Sequence, residues 1–569
     1  MENGRGKGRG LTVAAAAVAG LDLLFFFAMR DAWGGIATVV GIRGFYVGLL
    51  AIFLLLAATA MVMAFMKPRR LPAAILLGLS AVLFCALCYI LYVDIGSWTY
   101  ILREFLYALL WTAGIALMGF LLLSRGRTTA TKSRAAALAT LAIGVVAALA
   151  LTFDLGFLRF GEGPVVWAVG GEYQIAFTTT ARSTASVEVG GVAYHDSYSG
   201  YDISETRIHK VSVPMSALDT ARSYTIKARS MILRGPYWAI QGRTIARSCT
   251  FRPLDPSDGI QYYSLSDTHE FVEPAVKAAA YPGDRLDFLV IAGDTSSFLD
   301  RPADLDRILA IAHGATKGER PVIYARGNHE TKGRLSNLLH RYVGADGMKF
   351  YYTVRLGPVW AVVLDMGEDH ADDWQEFYGA ARFDAYRHEE TAFLDGVVAG
   401  AAHEYAAPGI THRLAVCHIP VTFQYAGDTG AERQKEWIER LDRMGLDLML
   451  NGHRHQAMYI SLDLPAGAPL TQCPAFSGKD RPGKVDGLRL EANFPAVIDS
   501  RRSEVQTNAV REDLFGRRFF GLAVEAKDGL MELRYTNETG QVLRTVGAWT
   551  GEDLGDVITV PCFKERGKN

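Results

Sequence analysis

Three rhythms of apolar and polar residues follow one another along this chain. Up to about residue 157 the apolar residues run together in about five stretches, at 11–29, 45–66, 73–93, 105–123 and 136–153. Each is near the roughly 20 residues that carry an α-helix across a bilayer, so the pattern predicts a helical transmembrane bundle over residues 1–157. From about residue 161 to 253 the period shortens to two, in runs such as Tyr173-Gln-Ile-Ala-Phe-Thr, Ala185-Ser-Val-Glu-Val, Ile208-His-Lys-Val-Ser-Val and Tyr224-Thr-Ile-Lys-Ala-Arg. Such alternation, broken by Gly, Ser and Asp, predicts an antiparallel β-sandwich of about seven strands over residues 158–256.

After Asp258 the rhythm changes again. Buried-strand runs at 286–292, 322–326, 414–416 and 446–451 are separated by stretches with helical spacing at 302–316, 387–401 and 432–444. Strands that alternate with helices predict an α/β sandwich, two sheets flanked by helices, over residues 257–569. Near the end, the runs 519–526 and 530–536 flank Lys527-Asp528-Gly529, which predicts a hairpin that extends this sheet. Residues 465–510 are polar and poorly periodic, and read as a long loop.

Charge adds an orientation to the first segment. The loops between its apolar stretches carry Arg5, Lys7, Arg9, Lys67, Arg69, Arg70, Arg125, Arg127, Lys132 and Arg134 on one side, against Arg30, Arg43 and Arg103 on the other. The basic excess marks the cytoplasmic side. A multi-pass cell-membrane protein follows, with its N-terminus in the cytoplasm and everything after Phe153 outside, the lipid bilayer being a partner. If residues 11–29 were instead a cleaved signal peptide, the later part would still lie outside. Asp22 falls within the first apolar stretch, where an ionisable group is either functional or turned to a polar partner on a neighbouring helix. Cys85 and Cys88, one helical turn apart, read as packing residues. The net charge of -1 argues against a polyanion-binding surface, so no nucleic-acid partner is expected. The mean hydropathy of +0.12 is high for a soluble protein, and the excess sits in the first segment. Cys249, Cys417, Cys473 and Cys562 are too scattered to form a disulfide framework.

The chemistry is concentrated in five short blocks of the last segment. They are Asp267-Thr268-His269, Gly293-Asp294, Gly327-Asn328-His329-Glu330, Cys417-His418 and Gly452-His453-Arg454-His455. Four of the five directly follow one of the hydrophobic runs, which places them at strand ends, where crevices open in α/β sheets. Imidazole nitrogens mixed with carboxylate and amide oxygens suit Zn, Mn, Fe or Co better than Ca or Mg. With Cys417 the only cysteine in the blocks, a structural thiolate zinc site is not indicated. The set is sufficient for a hydrolytic centre with two metal ions.

In order and spacing these blocks resemble the calcineurin-like metallophosphoesterase superfamily, over roughly residues 261–459. The resemblance implies that Asp267, His269 and His455 hold one ion, that Asn328, His418 and His453 hold the second, and that Asp294 bridges them. Two divalent or mixed-valence ions about 3.5 to 4 Å apart would lower the pKa of a shared water and clamp an in-line displacement at phosphorus. By the same pattern His329 contacts the phosphoryl oxygen or protonates the leaving group, and Glu330 orients it. Arg326 and Arg454 flank the blocks and are candidates to meet phosphate, or are salt-bridged; His370, in the acidic loop 368–373, is a further substrate candidate.

Residues 158–256 resemble the fibronectin-like N-terminal domain of purple acid phosphatases, at Gly163-Pro164, Tyr173, Ile208-His209-Lys210-Val211 and Tyr224. There His195 and His209 read as surface or packing residues. The catalytic blocks depart from the purple type, which has Gly at the place of His269 and Tyr at the place of Ser297, so no tyrosinate-iron colour is expected. Glu330 in place of Asp leans toward monoesters. The expected protein is a membrane-anchored phosphatase acting on phosphomonoesters, with a metal-bridging hydroxide as nucleophile. A phosphodiesterase or nucleotide hydrolase on the same site is the alternative within enzymes. A membrane sensor or transport element with a phosphate-binding outer domain is the alternative of another class.

Overall fold

The computed structural model describes residues 158–566 except 205, 235–236, 238, 426–430, 456, 469–474, 477–486, 500–518, 543–544, 547–552 and 556. Two large sheets dominate. The strands of the first are β1 (Val165–Val169), β2 (Glu172–Val189), β3 (Val192–His195), β4 (Thr206–Pro214), β5 (Ser223–Arg234), β6 (Ala239–Thr250), β7 (Ile260–Leu265), β8 (Phe288–Ala292) and β9 (Pro321–Ala325), together with three near the C-terminus. Those of the second are β10 (Tyr352–Leu356), β11 (Val359–Leu364), β12 (His412–Cys417), β13 (Leu448–Asn451), β14 (Ala457–Ile460), β15 (Ala475–Phe476) and β16 (Ala496–Asp499). The C-terminal strands β17 (Phe520–Lys527), β18 (Leu530–Asn537) and β19 (Ile558–Pro561) return to the first sheet.

The first sheet runs β19-β18-β17-β7-β8-β9-β1-β2-β5-β6, with β3 and β4 also paired to β2, and the second runs β10-β11-β12-β13-β16-β14-β15. The period of two along each strand explains how they stack. Val290 and Ala292 of β8, with Ile323 and Ala325 of β9, face Val359, Ala361 and Val363 of β11 and Leu448 and Leu450 of β13 in one core. The intervening Leu289, Ile291, Val322 and Tyr324 point the other way, onto helices α1 (Val272–Ala279) and α2 (Pro302–Thr316). Trp360, Val362 and Leu364 likewise turn from the sheet interface to α3 (Phe383–Ala399) and α4 (Ala431–Met444). The result is a four-layer sandwich, helix on sheet on sheet on helix.

The three-part fold class expected from sequence is corrected on two points. Among the described residues no helix is long and apolar enough to cross a membrane. The five apolar stretches of 11–153, with Asp22, Cys85 and Cys88, lie outside the described residues. The β-rich stretch is not a pair of sheets of its own either. β1 pairs in parallel with β9, Val166 beside Pro321 and Trp167 beside Val322, so these strands continue the sheet that carries the catalytic blocks. The reason is visible in β1 itself, where Val-Val-Trp-Ala-Val is buried on both faces as in the middle of a parallel sheet. β2 then serves two sets of neighbours: its first half pairs with β1 and β4 and its second half with β3 and β5, with the β4 register shifting between Thr178 and Ser183.

The C-terminal hairpin is where the sequence places it. β17 and β18 are joined through Asp528 and Gly529, both with positive φ (52° and 81°), the backbone of a tight primed turn. β17 pairs antiparallel with β7 and so flanks the strand that delivers the first block.

The interface between the two sheets should carry a large share of the stability. Ile323, fully buried within it, is expected to cost ~2–5 kcal/mol when changed to Ala. The exposed Met348, changed the same way, should stay within ~0.5 kcal/mol of the parent in urea unfolding.

Candidate metal centre

Each block lies at or within two residues of the end of a strand. β7 ends at Leu265, β8 at Ala292, β9 at Ala325, β12 at Cys417 and β13 at Asn451. β7, β8 and β9 are mutually parallel, as are β12 and β13, so each sheet offers its C-terminal ends on one side. The chain turns sharply there, with left-handed backbone at Asp267 (φ 47°), His269 (39°), Asp294 (51°), His453 (74°) and His455 (52°). Such residues cost of order 1–3 kcal/mol each and persist only where the surroundings hold them. The block glycines are fixed by close approach. A Cβ on Gly293, itself at φ +84°, would lie 2.7 Å from Gly327 and from His418 Nδ1, and one on Gly327 would lie 2.1 Å from Asp294 Oδ1.

These turns bring donors from both sheets together. Asp267, His269 and His455 form one group whose donor atoms all lie within 4.8 Å, and Asp294, His418 and His453 form another. A third, of His269, Asp294 and His329, overlaps both. His455 Nε2 is 3.2 Å from Asp267 Oδ1 and 3.4 Å from His269 Nε2. His418 Nε2 is 3.0 Å from Asp294 Oδ2, and His453 Nδ1 is 3.1 Å from Asn328 Oδ1. The seven residues read from the sequence as ligands are therefore brought together, with Asp294 shared by two of the groups.

The donors fit divalent metal. His418 is 1% exposed, its Nδ1–H donates to the Ala292 carbonyl at 2.6 Å, and its buried Nε2 has no well-aligned hydrogen bond. Without a cation the site is held by charge between the ligands themselves. Burial opposes a charge on His418, but the Asp294 carboxylate beside it pushes the imidazole up to about 10. Burial likewise works against ionised Asp294 and Asp267, yet His418 for the first and His455 for the second hold each carboxyl below the usual range. His269 goes the other way: burial brings it down to about 4, leaving it neutral.

A surrounding layer of side chains fixes these groups. Glu330, fully buried, accepts hydrogen bonds from the amides of Gly327 (3.0 Å), Asp294 (2.9 Å), Thr295 (2.6 Å) and Ser296 (3.2 Å) and from the Thr295 hydroxyl (2.6 Å). Its carboxylate ties the loops after β8 and β9 together, in place of the expected hold on the His329 ring. That ring is set by Nδ1–H donating to the Ser297 carbonyl at 2.8 Å, which leaves Nε2 4.0 Å from Asp294 Oδ2 and the side chain 26% exposed. Ser297 also places its hydroxyl 3.2 Å from His269 Nδ1 and donates it to Glu270 at 3.0 Å. The two positions that depart from the purple type are thus in contact.

The phosphate candidates fare differently. Arg326 pairs with Asp365 at 2.8 Å and stacks on Phe350, with its guanidinium 4.6 Å from the ring centre, so it is engaged away from the ligands. Arg454 is half-buried in the turn between two ligand histidines. His370 is 2.6 Å from Asp369 and packs on Trp374. Asp369 is the residue that sequence reasoning missed: its Oδ2 lies 2.9 Å from His453 Nε2, the nitrogen facing away from Asn328. The signal was present, since β11 is parallel to β12 and the acidic residues 368–369 follow its end. Glu368, paired with Lys332 at 2.9 Å, accepts the Asn328 side-chain amide at 3.1 Å and so orients that ligand.

Residues 260–457 match the family of calcineurin-like phosphoesterases. With the metal-binding groups above, the match makes this chain a phosphoesterase of the metal-dependent type. No curated protein matches it in sequence. Among solved structures, it is similar to purple acid phosphatase PPD1 from yellow lupin (Lupinus luteus) seeds, at 12% identity over 71% of this chain and 74% of that one, with a TM-score of 0.41. The structure of PhoD gives 10% identity, 72% and 92% coverage and a TM-score of 0.37. GAP50, the anchor in the inner membrane complex of Plasmodium, gives 11%, 50% and 87%, and 0.32.

Because the cation-free centre keeps His418 protonated, metal binding must expel that proton. The imidazolium form persists below about 10, so affinity should rise with pH across the neutral range, by ~10-fold per unit for the one proton. Calorimetry in buffers of different ionisation enthalpy measures the proton count. Asp369→Asn is expected to weaken metal binding ~10- to 100-fold, the loss usual for an outer carboxylate on a ligating histidine. Competition with a chromophoric chelator reads that change without reference to turnover.

Proposed function

Proceeding from a calcineurin-like phosphoesterase domain, we propose that this protein hydrolyses phosphomonoesters at a pair of divalent ions held by the five loops. Asp267, His269 and His455 would hold one, Asn328, His418 and His453 the other, and Asp294 would serve both. The observation that carries this reading is the position of Asp294. It belongs to the donor group with His269 and to the group with His418 and His453. An anionic carboxylate there keeps two cations close, while the neutral Asn328 completes a shell without adding charge that repels phosphate. When bound, such a pair lowers the pKa of water and draws charge from the phosphoryl oxygens.

The chain's own residues supply the rest. The Ser297 carbonyl holds the His329 proton on Nδ1 and leaves Nε2 4.0 Å from Asp294 Oδ2, on a side chain that is 26% exposed. From there a protonated His329 can bind a phosphoryl oxygen or hand its proton to the leaving oxygen. Glu330 cannot discriminate between esters by touch, since its carboxylate is buried and spent on backbone amides. A monoester preference would come instead from the partly exposed His329.

The test is turnover of p-nitrophenyl phosphate and of bis(p-nitrophenyl) phosphate by the metal-loaded full chain. Asp294→Ala and His418→Ala should each lower kcat/KM by about a thousandfold or more, several kcal/mol of lost charge stabilisation. His329→Ala should cost ~100- to 10,000-fold on an alkyl phosphate, whose leaving group needs a proton, and less on p-nitrophenyl phosphate. Faster turnover of the bis ester replaces the monoester reading with a diester one, and full activity in Asp294→Ala ends both.

A further inference from the structure

We propose that His412, Asp447 and Cys562 form a second metal site, separate from the phosphoesterase centre and suited to a single zinc ion. His412 opens β12 and Asp447 immediately precedes β13, whereas the ligands His418 and His453 follow the opposite ends of the same strands. At about 3.3 Å per residue, the six-residue β12 sets the two sites some 20 Å apart. Cys562 comes from the other sheet, directly after β19. One donor atom from each of the three lies within 4.8 Å of the others.

The geometry at His412 points to a cation. The residue is 1% exposed, and its buried Nδ1 makes no well-aligned hydrogen bond. Asp447 Oδ2, an acceptor, lies 3.4 Å from it. The other ring nitrogen lies 3.3 Å from the Tyr262 hydroxyl, whose ring is fully buried and stacked on Phe288. If Nε2–H donates to that hydroxyl, Nδ1 turns a lone pair toward the carboxylate, and a cation between the two satisfies both; a proton on Nδ1 is the competing occupant.

Asp447 is itself held in place. Oδ2 accepts the Arg413 amide at 2.7 Å and Oδ1 accepts the Phe563 amide, so the carboxylate cannot swing away. Cys562 completes the set, its own amide fixed by the Gly529 carbonyl at 2.8 Å. One imidazole, one carboxylate and one thiolate select zinc among the abundant ions, with water for the fourth position, because the soft sulfur disfavours calcium and magnesium. The ion would join the start of β12, the start of β13 and the C-terminal end of β19. It would act as a clip between the sheets at the end remote from catalysis.

Cobalt substitution of the full chain tests this independently of the phosphatase reading. The donors of the catalytic centre contain no sulfur, so a thiolate-to-cobalt charge-transfer absorption reports only a cysteine site. The absorption should appear on loading and vanish in Cys562→Ser, with p-nitrophenyl phosphate turnover unchanged. Metal analysis of zinc-loaded protein should find one equivalent fewer in Cys562→Ser and in His412→Gln than in the parent. Absence of the absorption at cobalt levels that saturate turnover overturns the proposal and leaves a proton between His412 and Asp447. So does an absorption that survives Cys562→Ser, or equal metal content in parent and variants. Should turnover be missing altogether, the absorption and the metal count still decide this site alone.

Discussion

The buried carboxylate of Glu330 is the fixed point of the catalytic region. It gathers amides from Gly327, Asp294, Thr295 and Ser296, which belong to loops after two different strands. Charge-assisted bonds of this kind are about twice as strong as neutral ones, and here they are sheltered from water. Their number also lets a carboxylate sit fully buried close to Asp294, although burial and that neighbour raise its pKa. The two acids are served by different partners: amides surround Glu330, and histidines surround Asp294. One is a brace and the other is free for cations.

The brace needs a rigid frame, and the sandwich core supplies it. Asp267 comes from the first sheet and His455 from the second, yet they stand 3.2 Å apart. Their separation is set by Val290, Ala292, Ile323 and Ala325 packing on Val359, Ala361 and Val363. Left-handed turns at five ligand residues add strain of order 1–3 kcal/mol each, which local hydrogen bonds offset. The Asp267 carboxylate accepts the His453 amide at 2.9 Å and the Ser266 hydroxyl at 2.6 Å. His329 donates its amide to Asp294 at 2.9 Å. Ligands thus hold ligands, and metal affinity and loop order are parts of one equilibrium.

Local patterns carried most of the catalytic fold into view, and tertiary ones did not. Helix α2 spans 302–316 as its spacing predicts, because its cap is local: Asp304 accepts the Arg301 amide at 2.8 Å. Helix α3 begins at Phe383, four residues before the spacing suggests, because its first amides are capped from a distant loop by Asp372. The strand β16 lies inside the stretch read as loop; its four residues are too few to establish a period, and only its place between β13 and β14 makes it a strand. The continuation of one sheet through β1 was hidden for a similar reason, since the apolar run Val165–Val169 marks a strand buried on both faces but does not say that β9 is its partner. Of the site, every block was legible. Asp369 and the burial of Glu330 were not, for each depends on which loops meet.

Access to solvent separates chemistry from framework elsewhere in the molecule. Asp196, His209 and Ser183 stand in relay order, with His209 Nδ1 2.8 Å from the carboxylate and Nε2 2.9 Å from the hydroxyl. By residue type and spacing the three match an acyl-transfer triad. Both His209 and Ser183 are 0% exposed, however, and the Thr179 hydroxyl is 3.0 Å from Ser183 Oγ, so no substrate carbonyl reaches the serine. The relay satisfies polar groups buried where β2 changes register, which is a structural task. The metal centre combines the same ingredients, imidazole and carboxylate, differently. Asp294 and His418 are as buried as the relay, while His329 and His455 remain about a quarter exposed. A buried set of ligands with an exposed histidine beside it can hold cations and still admit a phosphate ester, and that gradient of burial distinguishes the working site from its lookalike.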